Sequence, residues 1–352
     1  LLTGILPFQS LDVLELVHSH IAKRCISPHE LKPELPLIVS DIILKLMAKN
    51  AEDRYQSAYG LKADLEQCLH QLTSNGQIGC FPLGRQDISD RFQIPQKLYG
   101  RDRQIKILLT AFDRVSSGFI EMMLVTGYSG VGKSALVQEV HKPMTAKRGN
   151  FISGKFDQYQ RNIPYYALSQ AFNDLCNQLL TESEAVLNQW QEKILAAIGK
   201  NGQVLIDVIP NLERVIGSQP PVVKVEPSEA RNRFNLVFQN FIKAICQPEH
   251  PLVLFIDDLQ WADGASLSLL RTIMTDVNIQ YLLIIGAYRD NEVDFTHPLM
   301  TTLEEIKKEQ RVLSFLHLDN LLPQDVNALI AEALACPSTS TQPLTDLVSL
   351  MI

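Results

Sequence analysis

The sequence has no excess of positive charge: 32 lysines and arginines against 39 aspartates and glutamates leave a formal net charge of −7. It therefore lacks the general electrostatic footprint of a DNA- or RNA-binding protein, which must neutralise phosphates. No apolar stretch approaches the roughly 18 residues that a membrane-spanning helix needs. None of the six cysteines (Cys25, Cys68, Cys80, Cys176, Cys246, Cys336) forms a C-x-x-C pair. Neither a zinc site nor a disulfide framework is indicated, and the cysteines read as free thiols of a reducing cytoplasm. Internal repeats and low-complexity tracts are absent. Charged residues at 20% and hydrophobic residues at 46% are ordinary for a soluble globular protein. A length of 352 residues suits two or three domains with a sizeable core.

What is present is phosphate chemistry. Gly127-Tyr128-Ser129-Gly130-Val131-Gly132-Lys133-Ser134 is a complete G-x-x-x-x-G-K-[ST] loop, preceded by the apolar strand Met122 to Thr126. The glycines let successive backbone N–H groups turn toward phosphate oxygens at the positive end of the helix expected from Lys133. Lys133 would reach the β- and γ-phosphates, and Ser134 would hold Mg²⁺. Ala135, Leu136, Val137, Val140 and the run to His141 continue that helix, with Pro143 as its stop.

Leu252 to Asp258 is a run of five apolar residues ending in two carboxylates, the pattern of a buried parallel strand with acids at its C-terminal end. Ligands of open α/β sheets sit at that end. Asp257 suits the Mg²⁺ side and Asp258 the polarisation of an attacking water. A cap on the following helix is compatible with either role for Asp258. The separation of Lys133 from Asp257 leaves room for two or three strand–helix units. A third strand, Tyr281 to Tyr288, ends at Arg289, which either stretches toward a γ-phosphate or pairs on the surface with Asp290 or Glu292.

Along the chain, three helical patterns open the sequence: Leu11, Leu14, Leu16 and Val17; then Ile38, Ile42, Ile43, Leu46 and Met47; then Leu61, Leu65, Leu69 and Leu72. Pro28 to Pro36 separates the first from the second, and Thr73 to about Asp90 reads as a linker. Ile105, Leu108, Leu109, Phe112 and Val115 give an amphipathic helix. Then come a strand at Asn150 to Ser153 and helices from Pro164 through Leu179, Glu182 to Ile198 and Glu229 to Cys246. The rhythm is that of a doubly wound parallel sheet. His18 and His20, two apart on a helix, do not share a face and make no metal pair. Trp261 reads as a packing residue, and Arg231 and Arg233 as a solvated helix face.

From about Phe92 onward the sequence resembles the signal-transduction ATPases with numerous domains, a branch of the AAA-like P-loop NTPases. The matching pieces are Leu98-Tyr99-Gly100-Arg101, the phosphate loop, Leu254 to Asp263 and Gly286-Ala287-Tyr288-Arg289-Asp290. The resemblance implies that Tyr99, Gly100 and Arg101 lie near an adenine, that Asp257 and Asp258 serve Mg²⁺ and water, and that Arg289 senses the γ-phosphate. Where that family's opening motif usually has a glutamate, this chain has Gln104. The family's lid and winged-helix parts would follow Ile352.

Leu1 to Phe8 and Leu46 to Tyr55 resemble the end of the large lobe of a Ser/Thr protein kinase, with Arg54 as a structural residue. The glycine-rich loop, lysine strand, catalytic loop and D-F-G of that family are absent. A kinase lobe followed by such an ATPase is similar to the large bacterial multi-domain sensor kinases, so the chain, starting at Leu1 and ending in a helical pattern, reads as a piece of a longer protein.

The expectation is an α/β P-loop NTPase parallel sheet with helices on both faces over residues 92–352. A helical kinase remnant (1–72) and a linker (73–91) would precede it. Gly127, Ser129, Gly130, Val131, Gly132, Lys133, Ser134, Tyr99 and Arg101 would bind ATP; Ser134 and Asp257 would bind Mg²⁺; Asp258, Lys133 and Arg289 would carry hydrolysis. Expected partners are ATP, the flanking kinase and sensor modules, and further copies associating with nucleotide. Nucleic acid and membrane are not expected. Alternatives are an origin-recognition-like DNA-binding ATPase and a scaffold that binds nucleotide without hydrolysing it.

Overall fold

A proline-led turn, α1 (Pro28–Leu31), leads into α2 (Leu37–Leu46) and, past the loop that Arg54 braces, into α3 (Ala58–Asn75). Arg54 donates from Nε to Ala48 O at 2.7 Å. The structure is a computed structural model that describes residues 2–8, 25–49, 51–87, 97–139, 149–161, 163–223, 225–334 and 336–349. The pattern at Leu11–Val17, His18 and His20, the Asp90 and Phe92 boundaries, Val140 to Pro143 and the last residues lie outside the described residues.

Ser57 caps α3, its hydroxyl accepting the Gly60 N–H at 3.0 Å, and Gly76 ends it with φ of 68°, the left-handed turn glycine tolerates best. Here two expectations change. The helix runs past Leu72 to Asn75, and half-buried Ile78, Phe81 and Leu83 of the expected linker pack on Ile38, Ile42 and Cys68. Residues 84–87 are tied down as well. Gly84 N–H donates to buried Asp64 at 2.8 Å, and Asp87 accepts the N–H groups of Gln56 and Ser57 at 2.8 and 2.9 Å. Because these residues cover the Gly60, Asp64 and Cys68 face, Leu65, Leu69 and Leu72 are exposed.

The chain divides into two compact units, Leu1–Tyr99 with Leu322–Ile352, and Gly100–Leu321. The second begins with α4 (Asp102–Ser116) and then β1 (Ile120–Thr126), α5 (Lys133–Gln138) and β2 (Asn150–Lys155). A helical stretch follows: α6 (Tyr166–Leu179), α7 (Glu184–Ile198), α8 (Gly202–Ile206), α9 (Leu212–Ile216) and α10 (Pro227–Ile245). The unit closes with β3 (Leu252–Asp257), α11 (Gly264–Thr275), β4 (Leu282–Tyr288), α12 (Pro298–Lys308) and β5 (Leu313–His317). Helices α13 (Pro323–Ala333) and α14 (Ser338–Ser349) belong to the first unit.

All pairings in the five-stranded sheet are parallel, in the order β2-β3-β4-β1-β5. Every residue of β1 and β4 is buried, as a sheet covered on both faces requires. Met122, Leu124, Ile152, Leu254 and Ile284 face the core built with α6, α7, α10 and α11. Their neighbours Met123, Val125, Val253 and Ile285 are equally buried, and α4 packs against β1 and β4. Among the described residues only one strand, β2, lies between Lys133 and Asp257. The apolar pattern over the rest of that interval is helical, and Phe172, Phe238 and Phe241 cluster there as a helix-on-helix core. Strand β5 was not anticipated.

Glu121, in the middle of this apolar sheet and 1% exposed, is bound bidentately by Arg114 of α4 at 2.9 and 2.7 Å and by the Ser314 hydroxyl of β5 at 2.8 Å. Removing one partner of a buried pair leaves a desolvated charge. Arg114→Ala is expected to lower stability by about 2 kcal/mol, below the roughly 3–5 kcal/mol of a fully buried pair because the arginine is half exposed. Urea denaturation measures it; a midpoint equal to the wild type would show that Ser314 and water suffice for the carboxylate.

Candidate functional site

The parallel register brings Thr126 level with Tyr288 on one side and His317 on the other, and Lys155 level with Asp257. The loops that leave these strand ends form one rim. The chain crosses from β1 over β4 and β3 to β2, then returns, and places β5 on the far side of β1. That reversal opens the crevice at the C-terminal strand ends where α/β sheets take ligands.

The phosphate loop leaves β1 through Gly127 at φ of 141°. A Cβ there would meet Leu318 O at 2.5 Å. Gly130 and Gly132 also have positive φ, 82° and 98°, so the loop takes a path that L side chains resist. Lys133 is buried, and its ammonium donates to Gly127 O and Tyr128 O, both at 2.7 Å. Burial pushes its pKa down, an effect that Asp257 partly offsets. Behind the loop, buried Arg101 donates to Val131 O at 3.3 Å and Asp319 O at 2.6 Å. Tyr99 lies in the first unit, where the Lys97 ammonium is 5.0 Å from its ring centroid.

The Ser134 hydroxyl donates to Asp257 Oδ2 at 2.9 Å across a separation of 123 positions. A hydroxyl and a carboxylate side by side are hard oxygen donors, the set a divalent cation beside a triphosphate takes. Asp258 follows at φ of 54° and is 5% exposed. Aspartate tolerates the left-handed conformation better than most residues, and here it turns the carboxylate inward. Its Oδ1 accepts from Gln260 Nε2 at 2.9 Å, and Lys155 Nζ lies 3.2 Å from Oδ2.

Of the two readings its position allowed, Arg289 shows the surface pairing. It pairs with Glu292 at 2.7 Å, while its Nε lies 3.6 Å from Asp258 Oδ1. Its guanidinium stacks 5.1 Å from the Trp261 ring centroid, and Trp261 packs against the core as expected. Gln260 joins the rim together: its Oε1 accepts the Arg289 N–H at 3.3 Å, and its carbonyl lies 3.1 Å from His297 Nε2. The ring's Nδ1 accepts the Leu299 N–H at 3.2 Å to cap α12.

Lys155, Gln260 and His317 reach the same rim, and sequence reading gave none of them a role. Lys155 ends a strand whose start the sequence pattern indicates, whereas nothing in the sequence announces the strand that His317 ends. Arg231 is exposed and Arg233 donates to Val223 O at 2.9 Å. All six cysteines are free, and burial pushes the Cys176 thiol up to about 12. Among the described residues no His/Cys/Asp/Glu cluster has metal-holding geometry, and no helix is long and apolar enough to cross a membrane.

A parallel sheet with a glycine-walled loop, a buried lysine and a serine–aspartate pair at its C-terminal edge defines a P-loop nucleotide-site fold. The family model described as "AAA ATPase domain" matches residues 97–285, more than half of the chain, and the chain belongs to that family. It is 40% identical over 294 residues to the hybrid signal transduction histidine kinase G of Dictyostelium discoideum, covering 78% of this chain and 8% of that protein. Histidine protein kinase 1 of Candida albicans is 22% identical over 315 residues, covering 78% and 12%. The probable serine/threonine-protein kinase CPE1738 of Clostridium perfringens is 31% identical over 67 residues, covering 19% and 10%. The chain thus spans about a tenth of the curated relatives it matches, and these are not confined to bacteria. Among solved structures, Cdc6p from Pyrobaculum aerophilum aligns with a TM-score of 0.41 at 12% identity, covering 69% of this chain and 51% of that one.

Proposed function

We propose that the chain is an ATP-binding, slowly ATP-hydrolysing switch domain within a multi-domain signalling kinase. The observation that carries this reading is the Ser134–Asp257 contact, which joins the phosphate loop to the acidic strand and sets side by side two hard oxygen donors of the kind Mg²⁺ takes. The cradle also fits: a Cβ at Gly127 would collide with Leu318 O, and the Lys133 ammonium already rests on loop carbonyls that phosphate oxygens can replace. Gly127, Ser129, Gly130, Val131 and Gly132 would wrap the phosphates, Lys133 would neutralise them, and Ser134 and Asp257 would hold Mg²⁺.

Bound Mg-ATP supplies the electrophilic γ-phosphoryl group, and catalysis of its transfer is largely positioning and charge stabilisation. Asp258 would orient the water, with its charge held by Lys155, Gln260 and Arg289. Arg289 would report the γ-phosphate, and Tyr99 and Arg101 would lie on the adenine side. A few kcal/mol of differential affinity between nucleotide states suffices to shift such a switch.

Residues 1–72 read as the end of a Ser/Thr kinase large lobe, a reading that the Clostridium perfringens match supports. The histidine kinase relatives support a two-component setting for the parent protein. Flanking kinase and sensor modules and nucleotide-dependent self-association would be its readouts, in the cytoplasm and without nucleic acid. Single-turnover hydrolysis of ATP tests the catalytic part. Asp258→Asn keeps the Gln260 bond but removes the charge, and it is expected to slow hydrolysis about a hundredfold, at the low end of general-base effects. Wild-type hydrolysis at background, unchanged by the substitution, would leave a nucleotide-binding scaffold instead.

A further inference from the structure

His317 ends β5 at the same level as Thr126, the residue from which the phosphate loop springs. Its Nδ1 lies 2.9 Å from Thr126 Oγ1 and 3.4 Å from Asp290 Oδ2, and its Nε2 lies 3.3 Å from Asp319 Oδ1. One imidazole thus touches the tips of three strand ends. Asp290 adjoins Arg289, and the backbone carbonyl of Asp319 accepts from Arg101, which also holds the loop at Val131. A ring nitrogen carries either one hydrogen or one lone pair. The neutral ring that donates Nε2–H to Asp319 accepts the Thr126 hydroxyl at Nδ1. The protonated ring donates at Nδ1 and favours the Asp290 carboxylate, since charge-assisted bonds are the stronger ones.

We propose that His317 is a positioning residue of the phosphate site: by sharing Nδ1 between Thr126 and Asp290 it couples Arg289 to the phosphate loop, and protonation transfers the bond from Thr126 to Asp290. This rests on the nucleotide-site reading above. The charged groups that face the imidazole are Asp290 from the β4 side and Asp319 beside β5; Arg101 reaches it only through the Asp319 carbonyl, and Lys133 only through Asp290. Asp290 and Arg289 both act on the Lys133 ammonium, so the β4 tip and the loop are in electrostatic contact. A protonated His317 neutralises Asp290 beside Arg289, the residue that the nucleotide reading assigns to the γ-phosphate, so acidification favours ATP over ADP.

The test is the ratio of ATP to ADP affinity in Mg²⁺, measured on the full chain across pH 6 to 8 for the wild type, His317→Gln, His317→Ala and Asp290→Asn. Titration of the γ-phosphate itself is common to all four proteins and cancels in the comparison. The expected wild-type ratio rises on acidification by about threefold to tenfold relative to His317→Gln, the scale of one charge-assisted contact near the surface. His317→Ala is expected to lower the ratio at every pH with ADP affinity nearly unchanged, and Asp290→Asn to flatten the profile. Identical ratios and profiles in wild type and both His317 variants overturn the coupling. A folded wild type that binds neither nucleotide fails the nucleotide reading itself, and the coupling with it.

Discussion

Lys133→Ala is expected to weaken Mg-ATP binding about a thousandfold, because hydrogen bonds from a charged donor contribute roughly 1.5–3 kcal/mol each and the ammonium would serve two phosphates. The fold should survive. In the structure the ammonium is buried, its pKa is pushed down by that burial, and its partners are two backbone carbonyls of its own loop. Truncation therefore removes a desolvated charge at the same time as two hydrogen bonds, and the two effects oppose one another. The melting temperature without nucleotide should stay close to the wild-type value, while the stabilisation conferred by Mg-ATP disappears. A loss of less than tenfold would mean that the loop backbone alone holds the phosphates, and the role assigned to Lys133 would be wrong.

Phe172→Ala is expected to destabilise the second unit by about 3–5 kcal/mol, the usual cost of emptying a large aromatic site in a packed core. Phe172 is fully buried on α6, with Phe238 edge-on at 5.0 Å and Phe241 at 5.7 Å on α10. The core around it is tightly filled, with Phe238 and Phe241 themselves fully buried. Chemical denaturation followed by tryptophan fluorescence measures the loss, since Trp190 and Trp261 both pack on that core. A change below 1 kcal/mol would indicate that the helices between β2 and β3 do not unfold together with the sheet.

The legible parts of the site were those encoded in contiguous residues. Gly127 to Ser134, Asp257 with Asp258, and Arg289 each carry their chemistry in a short run, and the structure brings all three to one rim. The residues that hold them were not legible, because their relevance comes from strand order. Lys155 matters because β2 lies beside β3 in register, and His317 because β5 lies beside β1. The first pair is consecutive in the chain but separated by helices α6 to α10, and the second is not consecutive at all. Strand β5 itself is five residues long with Ser314 and His317 interrupting its apolar run, too little periodicity to announce a strand. The length after β2 leaves room for further strand–helix units, but its apolar spacing reads as helices and builds helices on helices. Tertiary packing also decided the face of α3: the leucine stripe predicted the helix, but the segment through Leu83 covers Cys68 instead.

The measurement that bears most directly on the nucleotide site is a calorimetric titration of the folded chain with ATP, in Mg²⁺ and again in EDTA, with GTP as competitor. One site per chain, weakened at least about tenfold without the metal because Ser134 and Asp257 then lose the ion that links them to the phosphates, is the predicted result. Absence of binding by a chain whose circular dichroism shows it folded, or binding equally strong in EDTA, would contradict the assignment of Ser134 and Asp257 as the Mg-ATP centre.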